Sequence, residues 1–403
     1  MAADRNPALD ALRGLAMAGM VLSGLLPSGV LPWWMYHAQN PPPSHVFVPT
    51  VLGITWVDLI FPLFLFAMGV ALPLALDAQA LKGLSCRQLA AGVVQRAAMM
   101  AAFAIYVRHI APHIVHFPEP WQGALFALAG FSLLFPLLAR LPRHWSRAAQ
   151  LGVRAAGLAG AAALMALFRD AHGAPFSIAR SDIIMLVLAN VALAAGLLWL
   201  ATRTRPELRL LFLALLLALR LGHGEPGWAH WLWQASPWPE LMQTSFLQYL
   251  FIVIPGTLAG DMLLKLRQDE APWRMLAQWG CWALLLAFAL NPYEGGIQKG
   301  RATLSYYAGG VAAGALLLAA LSLLVERLDW KARIAAGAGR NPLLVYAGVQ
   351  ALLKPLLLLT GLGALIQEWT MAPWVGVGRA LVYTLALCWF AAWCARRGLE
   401  LKL

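Results

Sequence analysis

Gly53-Ile54-Thr55-Trp56-Val57-Asp58-Leu59-Ile60-Phe61-Pro62, continued to Leu76 as LFLFAMGVALPLAL, is the stretch on which the fold turns. It exceeds the roughly 20 apolar residues that a helix needs to cross a bilayer. It nevertheless carries an acid, Asp58, near its entry, and Pro62 one turn later. A carboxylate inside a membrane is costly, so Asp58 is expected to face a water-filled cavity or a partner. Pro62 removes a backbone donor and frees a carbonyl nearby. Upstream lies MYHAQNPPPSH, with His37, His45 and the prolines 41–43. A histidine-bearing loop stiffened by proline therefore leads into a helix with an acid at its mouth.

The rest of the 403-residue chain reads as more of the same. It is 61% hydrophobic and only 12% charged, where a soluble protein averages about 25% charged residues. The expected class is all-α: a polytopic integral membrane protein with no soluble domain. The net charge of +12 does not argue for nucleic acid, because the basic residues gather in short loops between apolar spans, as the positive-inside rule requires. Cys86, Cys281, Cys388 and Cys394 show no zinc or disulfide spacing. The segment Met1–Arg13 is short and the apolar run after it lacks a clear cleavage site, so it reads as an uncleaved first span.

Twelve apolar segments can be counted. The first opens at Leu9-Asp10-Ala11-Leu12-Arg13-Gly14-Leu15 and runs to about Pro32; the quoted stretch is the second. The third, about Leu89–Tyr106, contains Arg96. Later ones run from about Gln122 to Leu138, Leu151 to Phe168, Ile183 to Ala201 and Leu210 to Leu221. An eighth holds Gly256 and Gly260 at a GxxxG spacing that permits close helix packing. The last four are about Trp282–Leu290, Leu304–Leu324, a span beginning at Gly339 and containing Lys354, and about Trp374–Ala395. The seventh and ninth are short, so the expected count is ten to twelve.

No Lys or Arg occurs between Gly14 and Lys82, whereas Arg140, Arg143, Arg147, Arg203, Arg205, Lys265, Arg267, Lys331, Arg396 and Arg397 cluster at alternate loops. That pattern predicts both termini in the cytoplasm and the His37–His45 loop outside. Asp10 and Arg13 share a helical face; the bland reading is a helix-start acid with a topological arginine, and the alternative is a rim for a phosphorylated donor. His109, His113 and His116 would align on one helical face, but Pro112 and Pro118 interrupt it and no acid is well placed, so no metal is expected. The loop GHGEPGWAHWLWQASPWPE holds four tryptophans, suited either to an interfacial belt or to stacking on a sugar.

Taken together, Leu9-Asp10-x-x-Arg13-Gly14-Leu15, Tyr36-His37-Ala38 and Gly53-x-Thr55-x-x-Asp58-x-x-Phe61-Pro62-x-Phe64-x-Phe66-x-x-Gly69 resemble the transmembrane acyltransferases related to heparan-α-glucosaminide N-acetyltransferase, and among them the bacterial DUF5009 proteins. Gly339-x-Asn341-x-x-Leu344-x-Tyr346 is similar to their late motif. The resemblance implies a single domain over residues 1–403, with a motif-rich part at 9–76 and a carboxy-terminal motif at 339–346. It also implies transfer of an acetyl group from cytoplasmic acetyl-CoA, a donor substrate, to an amino or hydroxyl group of a sugar or glycan on the outer side of a bacterial-type inner membrane. A histidine in the loop after the first span is essential in that family. His37 matches it best; His45, nearer Gly53, is the rival, because this chain has an insertion there. Gly24, beside Ser23, stands where the family often has an asparagine.

The residue types suit that chemistry. Imidazole can take the proton of an attacking hydroxyl or amine, or carry an acetyl group. Asp58 can orient the ring and hold its tautomer, and Asn341 can stabilise an oxyanion. Arg13 and Arg96 are the candidates for the donor's phosphates, which guanidinium groups bind by paired hydrogen bonds. The expected partners are the lipid bilayer, acyl-CoA and the acceptor, with a homodimer left open. The alternative class is a transporter of a small polar or sugar-like solute, since intramembrane charges (Asp58, Lys354, Arg379) and broken helices also suit a substrate pathway; it lacks the matching interrupted helices of two halves.

Overall fold

The computed structural model describes residues 6–142, 144–238, 240–266 and 271–402. Arg143, Arg267 and the first five residues of the Met1–Arg13 segment lie outside the described residues. The rest is a chain of sixteen α-helices. In order they are α1 (Pro7–Ser23), α2 (Trp56–Ala80), α3 (Cys86–His109), α4 (Pro120–Leu138), α5 (Arg147–Leu167), α6 (Ile183–Ala201), α7 (Glu207–Gly222) and α8 (Trp228–Gln234). Then come α9 (Leu250–Lys265), α10 (Pro272–Tyr293), α11 (Leu304–Leu328), α12 (Arg333–Arg340), α13 (Pro342–Gly348), α14 (Lys354–Leu359), α15 (Leu362–Trp369) and α16 (Pro373–Arg396). Among the described residues the only β contacts are isolated bridges.

Among the described residues ten helical segments are long and apolar enough to cross a membrane, so the protein is an all-α, multi-pass membrane protein. The twelve apolar segments of the sequence all become helices, but two fall short of that length. α1 has 17 residues and α7 has 16. α1 stops at Ser23 instead of running to Pro32 because Gly24, Pro27 and Gly29 follow, and Gly29 takes a positive φ of 76° that ends a right-handed helix. The ninth segment lengthens instead: Pro272 at the first turn of α10 needs no helical donor. The span expected from Gly339 starts at Pro342 and changes pitch at Val349–Leu353, a π-helical turn. Pro355, lacking an N–H for the carbonyl of Ala351, accounts for the change.

The chain separates into two compact units. The first comprises residues 1–12, 33–102 and 183–331; the second comprises 13–32, 103–182 and 332–403.

In the first unit α2 is central and packs on α9 and α11, while α11 packs along α10. The glycine pair read from the sequence explains the α2–α9 contact. A Cβ on Gly256 would lie 2.7 Å from the Phe66 carbonyl oxygen and 3.0 Å from Gly69 Cα. Only glycine lets the two backbones meet there. Beside this seam, Arg209 of α7 is 1% exposed and binds Asp261 of α9, which also accepts from Trp199 Nε1 at 2.8 Å. A buried charge is tolerated when it is paired in this way.

In the second unit α4 packs on α5 and α14, and α12 packs on α16. Arg154 of α5 donates to the carbonyls of Pro136 and Ala139, both at 2.7 Å, satisfying the orphan carbonyls at the end of α4. Gly14 lies so close to Ala335 of α12 that a Cβ would fall 1.8 Å from its carbonyl oxygen.

Candidate functional site

The site is in the first unit and starts from how α2 begins. Thr55 is its N-cap and Asp58 its third residue. The Asp58 carboxylate folds back to accept from the Thr55 backbone N–H at 3.0 Å, half of a capping box. The loop before α2 is clipped to the same two residues. Thr55 Oγ1 donates to the Tyr36 carbonyl at 2.6 Å, and the Ala38 N–H donates to Asp58 Oδ2 at 3.0 Å. These bonds bracket His37 on both sides and bring its Nδ1 to 2.7 Å from Asp58 Oδ1.

A second loop closes the arrangement. Between α10 and α11, residues 294–303 dock on the turn that leads into α2. Gly53 donates to the Ile297 carbonyl at 2.8 Å, with a φ of 99° that favours glycine. Gln298 reaches the carbonyls of Thr50 and Val51 at 2.9 and 3.3 Å. Glu294 accepts from the backbone N–H groups of Leu304 and Ser305, both at 2.7 Å, at the start of α11. Arg220, at the end of α7, holds the carbonyls of Arg301 and Ala302. So fixed, the loop delivers Lys299: its Nζ lies 3.3 Å from Asp58 Oδ1 and 3.0 Å from His37 Nδ1. Tyr306 of α11 donates to the Asp58 backbone carbonyl at 3.0 Å.

Asp58 is thus wholly buried at 0% exposure, yet every lone-pair direction is used. Oδ1 faces His37 and Lys299; Oδ2 faces Ala38, Thr55 N and Thr55 Oγ1. A carboxylate so surrounded stays ionised without bulk water. Two of its partners reach outward: the His37 side chain is 42% exposed and that of Lys299 is 32% exposed. Burial pulls the Lys299 ammonium below its usual pKa, and the Asp58 carboxylate partly opposes this.

The 2.7 Å contact decides the tautomer. The ionised Asp58 oxygen at 2.7 Å favours a hydrogen on Nδ1, the Lys299 ammonium at 3.0 Å favours a bare Nδ1, and the shorter contact assigns the hydrogen to Nδ1, which donates it to Asp58. In this tautomer the lone pair of the neutral ring is on Nε2, the form in which imidazole acts as base or nucleophile.

His45 is placed otherwise. Its backbone has a positive φ of 52°, its Nδ1 is 3.2 Å from the Asn40 carbonyl, and its ring stands edge-on to Tyr36 with centroids 4.5 Å apart. It shapes the turn that carries His37, and only His37 of the two rivals meets Asp58. Nor is the cation beside Asp58 one of those singled out from the sequence. Lys354 and Arg379 belong to the second unit, where Arg379 donates to Thr370 Oγ1 at 2.8 Å.

Asn341 also belongs to the second unit and is fully buried. Its Nδ2 donates to the Leu399 carbonyl and its Oδ1 accepts from the Leu401 N–H, both at 3.0 Å. Both ends of this amide, the oxyanion candidate of the sequence, meet backbone groups that have left α16 and tie down the carboxy-terminal tail. Arg13 lies in the second unit, half-buried and bonded, whereas Arg96 is on an exposed flank of α3 in the first. His109, His113 and His116 do not share a helix, since α3 ends at His109. His109 is buried and donates from Nδ1 to the Ile105 carbonyl at 2.7 Å. No three metal-ligating side chains converge among the described residues. In the tryptophan loop Trp228, Trp231 and Trp238 are exposed, while Trp233 is buried against His223.

Lys299 was not singled out in the sequence. A signal was nonetheless there: with both termini expected in the cytoplasm, Lys299 and Arg301 fall in an outer loop, where the positive-inside rule disfavours basic residues.

Fold and site together define the class, a polytopic helical membrane protein with a His–Asp–Lys cluster at a helix entrance. Residues 5–263, more than half of the chain and including the whole of α2 and the His37 loop, match the family DUF5009, a domain of unknown function, and the chain belongs to that family. No curated protein matches it.

Proposed function

We propose that this protein is a transmembrane acyltransferase. It moves an acetyl group from acetyl-CoA on the cytoplasmic side to an amino or hydroxyl group of a sugar or glycan on the outer side of a bacterial-type inner membrane, with both termini in the cytoplasm. The observation that carries the reading is a half-exposed imidazole whose Nδ1 is held at 2.7 Å by a buried carboxylate. Asp58 keeps the ring in one tautomer and one orientation, as carboxylates do for catalytic histidines.

The reaction then needs little else from the chain. As the acceptor oxygen or nitrogen bonds to the thioester carbonyl carbon, His37 Nε2 takes the acceptor's proton. The carbon–sulfur bond breaks, and the departing CoA thiolate collects that proton from the imidazolium. If acetyl-histidine forms first, Nε2 itself bonds to the carbonyl carbon and expels the thiolate. The acceptor then displaces the acetyl group from Nε2, whose freed lone pair takes the acceptor's proton and passes it to the thiolate. Both routes use the same lone pair. Arg13 and Arg96, each within its own unit, are the separate guanidinium candidates for the donor's phosphates.

The test is incubation of the purified full-length protein with radiolabelled acetyl-CoA and a panel of amino sugars and oligosaccharides. Label on an acceptor, or on His37 itself, is the expected result. Absence of label from every acceptor and from the protein sinks the reading and makes solute transport the leading one. Unchanged acetyl-CoA affinity in the doubly substituted Arg13→Ala, Arg96→Ala protein removes those two from the donor site.

A further inference from the structure

We propose that Lys299 is a positioning residue: by holding an ammonium against the Asp58 oxygen that His37 also uses, it keeps the His37 ring neutral and the Nε2 lone pair available. A histidine whose Nδ1–H meets a buried carboxylate faces a standing hazard. The carboxylate favours the imidazolium, and an imidazolium has no lone pair at Nε2 with which to act. Lys299 removes the hazard by charge balance. Asp58 and Lys299, 3.3 Å apart, already sum to zero. A proton on His37 would place a second cation 3.0 Å from the first, beside a carboxylate that is wholly buried. A like charge at that range disfavours the charged form.

The geometry around the cluster supports this assignment over a role in packing. Lys299 is delivered by a loop pinned at Gly53, Gln298, Glu294 and Arg220, four attachments that converge on its position. The titratable groups facing His37 and its carboxylate are few. Asp58 comes from α2 and Lys299 from the loop between α10 and α11. Tyr36 and His45 belong to His37's own loop, and Tyr306 of α11 holds the Asp58 carbonyl. Lys299 is the cation among them that touches both members of the His37–Asp58 pair.

The inference rests on His37 being the working imidazole of the proposed transfer, but its test needs no acetyl-CoA. Diethyl pyrocarbonate acylates neutral imidazole and not imidazolium. The rate of labelling at His37, read by mass spectrometry of its peptide between pH 5.5 and 8 in the intact purified protein, therefore reports the neutral fraction. In Lys299→Met the acid limb of that profile moves up by about one pH unit, and labelling at pH 6 falls about tenfold. Lys299→Arg keeps the parent profile, and adding Asp58→Asn to Lys299→Met restores fast labelling. Lys299→Gln is read in the same way if the methionine variant does not fold.

An unmoved profile in the neutral variants overturns the inference and leaves the proposed function standing. So does slow labelling of His37 in the parent protein at pH 7 relative to the same peptide after denaturation. A shifted profile in a protein that transfers no acetyl group overturns the function and leaves the inference intact.

Discussion

Asp58 and Asn341 are both fully buried polar side chains at the start of a helix, one in the motif-rich region near the amino terminus and the other in the late motif. Asp58 shares its oxygens between backbone N–H groups and two side chains that reach outward, His37 and Lys299. Asn341 meets only the backbone of Leu399 and Leu401. Its neighbour Arg340 is spent in the same way, on the Glu400 carboxylate at 2.6 Å. One polar network ends on an exposed imidazole; the other closes on itself. The difference separates a site from a fastening. A buried polar group repays its desolvation cost in either case, but only the first leaves a reactive atom facing out.

The largest expected effect tests that distinction directly. His37→Ala lowers acetyl transfer by about 10²–10⁴-fold, the range for loss of a general base, or further if the histidine carries the acetyl group. The melting temperature in detergent stays near the parent value, since a half-exposed loop histidine contributes little packing. His45→Ala keeps most of the activity. Parent-rate transfer in His37→Ala breaks the comparison at its first term.

Asp58→Ala comes next and is expected to act on stability as well as on rate. It strands the Lys299 ammonium and the N–H groups of Ala38 and Thr55, and removing one partner of a buried pair costs about 3–5 kcal/mol. Denaturant titration of the purified protein reads the loss directly. Asp58→Asn is milder, because the amide oxygen still accepts from the backbone. A near-neutral Asp58→Ala would mean that the carboxylate does not organise the loop.

Asn341→Ala should show the opposite split. Leaving Leu399 and Leu401 without partners costs about 1–3 kcal/mol, and the tail becomes sensitive to carboxypeptidase. The transfer rate per folded molecule is unchanged. A stable Asn341→Ala protein that has lost transfer would return this residue to the oxyanion role.

The smallest effect is a pH dependence of the tail. Burial works to raise the Glu400 pKa, but hydrogen bonds from Lys402 and Arg340 outweigh it and hold the carboxyl at about 2, against 4.5 for the free group. A depressed carboxylate adds stability above its unfolded value and loses it as the pH falls towards the folded one. The protection factors of the amides in residues 399–402, measured against the unfolded peptide at each pH, should therefore be high at neutral pH and fall between pH 4.5 and 2. Protection that is flat across this window would show that the ion pairs do not hold the tail.

Much of the fold was legible because hydrophobicity is local. The run from Gly53 to Leu76 becomes α2 whatever surrounds it, and the apolar segments become helices for the same reason. The GxxxG pair at Gly256 and Gly260 announced a close contact, though not that α2 would fill it. The lengths of α1 and α10 and the pitch of the segment around Pro355 were not legible, since they depend on how glycine and proline start, end or distort a helix once neighbours are packed. Half of the site was legible too: His37 and Asp58 are close in sequence, and α2 begins between them.

From the sequence alone, then, came an all-helical membrane protein with a histidine loop leading into an acid-bearing helix, because composition and short-range spacing are enough for that. That His37 and not His45 meets Asp58, that Lys299 joins them, and what Asn341 bonds to were decided only by tertiary structure. Lys299 lies 262 positions from His37, and Asn341 lies 60 from the Leu401 N–H that it holds. Such pairings are set by which loops dock and which charges must be compensated when buried, and no local pattern of residues carries that information.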